Sequence, residues 1–155
     1  MTPPATSHGV PARALLSADP GAYTTRTPDG KLIMVLPVAD ASLLLNANQR
    51  LHWAEERRRT RYWRTLSATT ARSAINRGSW APLPAAAITC TLHWPYLRHR
   101  DPANWHPTAK AILDGLVDAR LLPDDDDAHV QGPDMRAAHG SLTVRFTITP
   151  TEPTP

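Results

Sequence analysis

At 155 residues, 41% of them apolar and 20% charged, the chain is long enough for one domain with a buried core and too short to expect two. Seventeen lysines and arginines against 14 aspartates and glutamates leave a formal net charge of +3, too modest by itself to name a partner. The single cysteine, Cys90, excludes an intrachain disulfide and a thiolate zinc cluster; the first residues show no charged stretch followed by an apolar one and no run approaches membrane-spanning length, so the expectation is a cytoplasmic protein without membrane association.

Residues 1–30 are rich in Pro, Ala, Thr and Gly without a sustained apolar period and are expected to form a flexible leader. Lys31 to Leu36 reads as a first strand closed by Pro37, and Asn46 to Arg50 as a loop carrying helix-capping residues. Trp53, Trp63, Leu66 and Ala74 fall at helical spacing among arginines, which predicts a long helix from about Trp53 to Asn76. Ile88, Cys90, Leu92 and Trp94 then alternate with polar residues, the period of a half-buried strand ending at Pro95. Ala109, Ile112, Leu113, Leu116 and Val117 mark an amphipathic helix over 105–119, with Asn104 as N-cap and Pro107 in the first turn, where a backbone N–H would have no intrahelical acceptor. A short strand is possible at 128–136, and Leu142, Val144, Phe146 and Ile148 alternate in a last strand. Residues 150–155 repeat Thr and Pro and read as a flexible tail. This order of elements predicts an α+β fold over 31–149, a small mixed β-sheet with two main α-helices packed on it.

Charge is segregated along the chain. Between residues 50 and 77 lie Arg50, Arg57, Arg58, Arg59, Arg61, Arg64, Arg72 and Arg77 against only Glu55 and Glu56, a local charge of about +6. Between 101 and 134 the sign reverses, with eight aspartates against Lys110 and Arg120. Asp101 follows a strand end, Lys110 and Asp114 share a helix face one turn apart, and Asp124 to Asp127 open the next element. Carboxylates gathered in a basic chain have a use in phosphodiester chemistry: they hold Mg²⁺ while arginines and lysines hold phosphates. That combination points to a nuclease. The plainer alternatives are a solvated Lys–Asp pair and a solvated acidic turn. An EF-hand is excluded, because His129 stands where its loop needs glycine and no glutamate closes it.

Arg100, Asp101 and Asn104, then Lys110, Leu113, Asp114 and Leu116, then Asp124, Asp125 and Val130 resemble, in order, the three-part motif of the RusA-type Holliday junction resolvases, small phage and prophage endonucleases. The spacing from Lys110 to Asp124 and Asp125 is also the family's. Asn48 to Trp53 and the arginine-rich helix after it look like the family's N-terminal half, so the resemblance covers roughly 31–149. It implies a RusA-like fold and a homodimer that cuts four-way DNA junctions. It also implies Mg²⁺ held by Asp101, Asp124 and Asp125, with Lys110 stabilising charge on the phosphorane or positioning the water. Arg50, Arg57, Arg58, Arg61, Arg64 and Arg100 are the expected DNA contacts. The first strand and Leu43-Leu44-Leu45 are candidates for the dimer interface, although such leucines more often belong to a core.

Two departures accompany the resemblance. Ala103 stands where the family has a second aspartate, and Trp105 to Ala109 lengthens the gap before the lysine. Alanine cannot ligate a metal. Either water completes a smaller ligand set, or His106, Asp126 or Asp127 takes the place, or the chain is a catalytically weak junction- or DNA-binding protein of the same fold. His99 and His106 otherwise read as ordinary surface or packing histidines. A phosphohydrolase acting on nucleotides is disfavoured by the lack of a Gly-rich phosphate loop.

Overall fold

Five strands pair into a single sheet. The computed structural model of the protein describes residues 21–96 and 98–155. Its strands are β1 (Tyr23–Arg26), β2 (Leu32–Pro37), β3 (Ala85–Trp94), β4 (Val130–His139) and β5 (Thr143–Thr151), and its two α-helices are α1 (Trp53–Asn76) and α2 (His106–Asp118). The strand order is β1-β2-β5-β3-β4, with β3 and β4 parallel and the other neighbours antiparallel. The parallel pair follows from connectivity: the chain crosses back over the sheet through α2 before β4 can lie alongside β3. The protein is therefore a small α+β fold.

Alternation places one set of side chains from each central strand in the core. Met34 and Leu36 of β2, Ile88, Cys90 and Leu92 of β3, and Val144, Phe146 and Ile148 of β5 join Trp63, Ala71, Ile112 and Leu116 of the helices in one buried cluster. The intervening Thr89, Thr91, His93, Arg145 and Thr147 face the other way and are only partly buried. Both helices thus cover the same face of the sheet, and the opposite face is threonine-rich.

The expected leader and tail need correction at their inner ends. Residues 1–20 lie outside the described residues, but Tyr23–Arg26 form the edge strand β1, paired with Leu32–Val35. The connecting turn is built by Thr27-Pro28-Asp29-Gly30. Gly30 has φ +89°, the Gly30 N–H donates to Thr27 O at 2.9 Å, and the Lys31 N–H donates to the Thr27 hydroxyl at 2.9 Å. Pro-Asp-Gly is a turn signal with a mechanism, and a hairpin could have been read from it. At the other end, Pro150 and Thr151 pair with Ala86 and Ala85 in the sheet, and the Thr154 N–H donates to Ala128 O at 2.9 Å.

The strand expected at 128–136 is longer and runs along the sheet edge. Most of its residues from Gln131 to His139 are exposed, so no apolar period marks it. A bulge opposite Ala87 to Thr89 holds Gly132 at φ +93°; a Cβ there would lie 2.5 Å from Ile88 O.

Leu43-Leu44-Leu45 is core rather than a dimer surface. Leu44 and Leu45 are buried, Trp63 Nε1 donates to Leu43 O at 2.8 Å, and the buried Thr108 hydroxyl donates to Leu45 O and accepts from its N–H. β2 is likewise enclosed between β1 and β5, which leaves it no free edge.

The helices approach each other through small residues. Gly115 of α2 faces α1 so closely that an added Cβ would lie 1.8 Å from Ser67 Oγ and 2.4 Å from Arg64 O. Ser67 Oγ donates across this crossing to Ile112 O at 2.8 Å. Gly115→Ala should force the helices apart and cost about 2–3 kcal/mol or more. A chain of this size would then melt roughly 5–10 °C lower. Thermal denaturation followed by circular dichroism measures this, and an unchanged midpoint would show that the two helices have room to spare at Gly115.

Candidate functional site

The site is organised by the segment from the end of β3 through α2 to the start of β4. Past Trp94 the chain reaches Asp101, whose Oδ1 accepts the Ala103 N–H at 3.1 Å and so caps a 3-10 turn, Pro102–Trp105. Asn104 lies inside this turn. It is therefore not the N-cap of α2; Trp105 holds that position without a side-chain bond. The tighter turn also means that Ala103 does not share a side with Asp101 as it would in an extended segment. Pro107 sits in the first turn of α2, as expected.

On the exposed side of α2, Lys110 Nζ donates to Asp114 Oδ1 at 2.5 Å and to Asp125 Oδ2. Asp114 is four residues along the helix, whereas Asp125 is brought back by the turn that ends α2. There the Arg120 N–H donates to Val117 O and the Leu121 N–H to Leu116 O, with Arg120 left-handed at φ +63°. The buried Leu121 and Leu122 anchor the return. The hydrogen bond from Lys110 holds the Asp125 carboxyl below the usual carboxylate range. Partial burial pulls Lys110 down, but Asp114 and Asp125 outweigh it and raise the ammonium above its ordinary value. One cation thus stands between two carboxylates.

Asp124 and Asp126 have local partners. Asp124 Oδ1 accepts the Asp125 N–H at 2.8 Å. Asp126 Oδ1 accepts the N–H groups of Ala128 and His129 at 3.1 Å and lies 2.5 Å from His129 Nδ1, which makes it the organiser of the turn into β4. Asp127 and His106 are exposed. Among the described residues, no group of three or more His, Cys, Asp or Glu side chains converges as a metal site. The hard oxygen donors of Asp101, Asp124 and Asp125 suit Mg²⁺ in chemistry, and the place where Asp114 and Asp125 meet already takes a positive charge. Cys90 is not a candidate nucleophile, since burial pushes its thiol up to about 12.

Asp101 opens onto a cleft of about 410 Å³ between the loop after β3 and the loop after β2, with Asn46, Arg98, His99 and Arg100 on its walls and Trp94 and Trp105 inside it. The Arg100 guanidinium lies over the Trp94 ring, 4.1 Å from its centroid, and the Trp94 and Trp105 rings are 5.2 Å apart. The Ala47 N–H donates to Asn104 O at 2.7 Å and ties the two loops together. Trp94, Trp105, Asn46 and Arg98 were not expected from sequence as site residues. Two tryptophans flanking the basic stretch Arg98-His99-Arg100 were the signal available.

The arginines of α1 divide into two sets. Arg58 binds Glu55 through Nε and Nη2 at 3.0 and 2.7 Å, and Arg59 Nε reaches the same carboxylate at 2.8 Å; these bonds hold Glu55 down at about 2. Arg64 is bidentate on Asp118 at 2.6 and 2.8 Å, with Arg72 Nη2 donating to Asp118 O at 3.3 Å, so both clamp α1 to the end of α2. Arg57 lies over Trp53, 5.5 Å from its ring centroid. Arg50 and Arg61 are exposed and make no hydrogen bond or ion pair with the described residues. Of the expected DNA contacts, Arg58 and Arg64 are thus already paired within the protein.

The Arg64 clamp has a pH signature. Hydrogen bonding to Arg64 lowers the Asp118 carboxyl in the folded chain, so the pair's contribution is complete above about pH 4 and is lost as pH falls through the lowered folded value. Arg64→Met should therefore lower stability by less than about 1 kcal/mol at pH 7, because the pair is solvent-exposed. The difference from the parent chain should shrink as the pH falls through that lowered value. Urea titrations at pH 7 and pH 2.5 test this; a difference that grows in acid would reverse the assignment.

Compared with models of known protein families and with curated proteins, the chain matches none.

Proposed function

We propose that the protein is a Mg²⁺-dependent, structure-selective endodeoxyribonuclease of RusA type, which resolves four-way DNA junctions as a homodimer by paired phosphodiester hydrolysis. The observation that carries this reading is the lysine held between two aspartates, Asp114–Lys110–Asp125, on the same crossover from β3 through α2 to β4 that bears Asp101. Isolated Lys–Asp pairs on helices are common, but a lysine fixed by a second carboxylate fifteen residues on is preorganised for a task. The clamp of Arg64 on Asp118 adds support, because it seats the arginine-dense α1 beside the helix that carries Lys110.

Asp101, Asp124 and Asp125 would hold the Mg²⁺, whose chemistry is to polarise a phosphate and acidify a bound water. Lys110 stays protonated at neutral pH, since its two partners raise its affinity for the proton. It donates charge-assisted hydrogen bonds to a phosphate oxygen as negative charge grows there. Arg50, Arg57, Arg61 and Arg100 bind flanking phosphates, and the homodimer places two such sites on opposite strands.

A second reading, a DNA-binding protein of weak catalytic power, is favoured by Ala103, which offers only a backbone N–H to Asp101 where the family has a carboxylate. Incubation with a labelled four-way junction, a linear duplex and a nucleoside triphosphate, with and without Mg²⁺, separates these readings. Symmetrical Mg²⁺-dependent cuts in the junction alone are expected. Junction binding without cuts supports the second reading, and triphosphate hydrolysis alone defeats both.

A further inference from the structure

The Trp94 indole at the inner end of β3 is nine-tenths buried and lines the cleft beside Asp101, yet its Nε1–H has no acceptor among the described residues. A buried indole N–H normally finds a partner, because leaving it unmade costs the desolvation of a donor without recovering a bond. The other buried indoles obey the rule: Trp63 Nε1 donates to Leu43 O at 2.8 Å and Trp80 Nε1 to Thr25 O at 3.3 Å. Trp94 is the exception, and it is the one of these three that lies in this cleft.

The surroundings define what would supply the acceptor. Flat groups surround the indole: the Arg100 guanidinium lies over its ring and the Trp105 ring is tilted 52° against it. A volume of about 410 Å³ falls within the range of small-ligand sites and admits one aromatic heterocycle. Arg98 and Arg100 bring positive charge to the same walls, while Asp101 is the acidic group among them. A planar ligand with carbonyl or ring-nitrogen acceptors, attached to an anionic backbone, matches this combination. That is a nucleobase in a polynucleotide.

We propose that the Trp94–Trp105 cleft receives a single unpaired nucleobase, stacked on the Trp105 ring beside the Arg100 guanidinium, with Trp94 Nε1–H donating to an acceptor on the base edge. This rests on the nucleic-acid reading above and adds to it a physical source of structure selectivity. A base in continuous duplex is stacked and paired and does not enter. A base freed at a branch or in a single strand does, and its capture sets the adjacent backbone beside Asp101.

The test uses the full chain. In one arm, a single-stranded oligonucleotide carries the fluorescent base 2-aminopurine at successive positions, alongside the same label inside a fully paired duplex. Unmodified protein should quench the single-stranded label at one position by stacking and leave the duplex label unchanged. In the other arm, affinities for the single strand and the duplex are compared in Trp94→Phe, which keeps a buried aromatic ring and deletes the donor together with the five-membered part of the indole. The single-strand to duplex affinity ratio should fall about fivefold to tenfold, the loss of one buried hydrogen bond. An abasic nucleotide at the quenched position should remove the difference between parent and variant. No position-specific quenching, with duplex binding intact, overturns this proposal and leaves the nuclease reading standing. Failure to bind any DNA overturns both.

Discussion

Asp125→Asn should abolish Mg²⁺-dependent junction cleavage, by at least about a thousandfold in a single-turnover assay, while junction binding survives. Asparagine keeps the shape of the side chain and removes the charge that Lys110 uses and that the proposed Mg²⁺ would use. Asp114 remains to hold Lys110 on α2, so the lysine is loosened rather than freed. Removing a negative charge close to phosphates does not weaken their attraction to the arginines, which is why binding is retained. Asp101→Asn should behave alike for a separate reason: its amide oxygen can still accept the Ala103 N–H, so the 3-10 turn that opens α2 is preserved while the charge is lost. Cleavage and gel-shift measurements on both variants decide this. Retained cleavage in either would mean that the metal site lies elsewhere.

Replacing Arg50, Arg57 and Arg61 together by Ala should weaken binding to any DNA and flatten its salt dependence. Every phosphate that is no longer neutralised takes roughly 0.9 from the slope of log affinity against log salt, so the slope of the triple variant should fall by about 2–3. These three are chosen because Glu55 and Asp118 do not engage them, unlike Arg58 and Arg64. An arginine already paired with a carboxylate has less of its charge to offer a phosphate, and Arg58→Ala alone should change the slope by less than a single neutralised phosphate would. A triple variant with an unchanged slope would show that this surface of the protein does not carry the DNA.

How much could be read from the chain itself depends on whether the deciding physics was local. The long helix Trp53–Asn76 and the strand at Ile88 to Trp94 were legible because burial on one side imposes a period on the residues that are buried. The end of α1 was legible in kind, since Gly78 at φ +76° is the residue that a left-handed helix terminus favours. β1 and β4 were harder, because an edge strand buries little and leaves no clear period; Tyr23–Arg26 reads as part of a leader, and β4 as a shorter strand than it is. The end of α2 uses Arg120 at φ +63° where glycine would be the expected signal, so the return of Asp125 to Lys110 could not be read from local preference. Lys110 and Asp114 were placed together by helix geometry alone, whereas the third member of that cluster was placed by Leu121 and Leu122 turning into the core. The same division runs through the arginines. Sequence determined their density on α1, and only the packing of α1 on α2, permitted by Gly115, decided that Arg64 is taken by Asp118 while Arg61 stays exposed. Periodicity and charge density are properties of neighbours along the chain, but which charge is neutralised depends on residues 54 apart meeting in space.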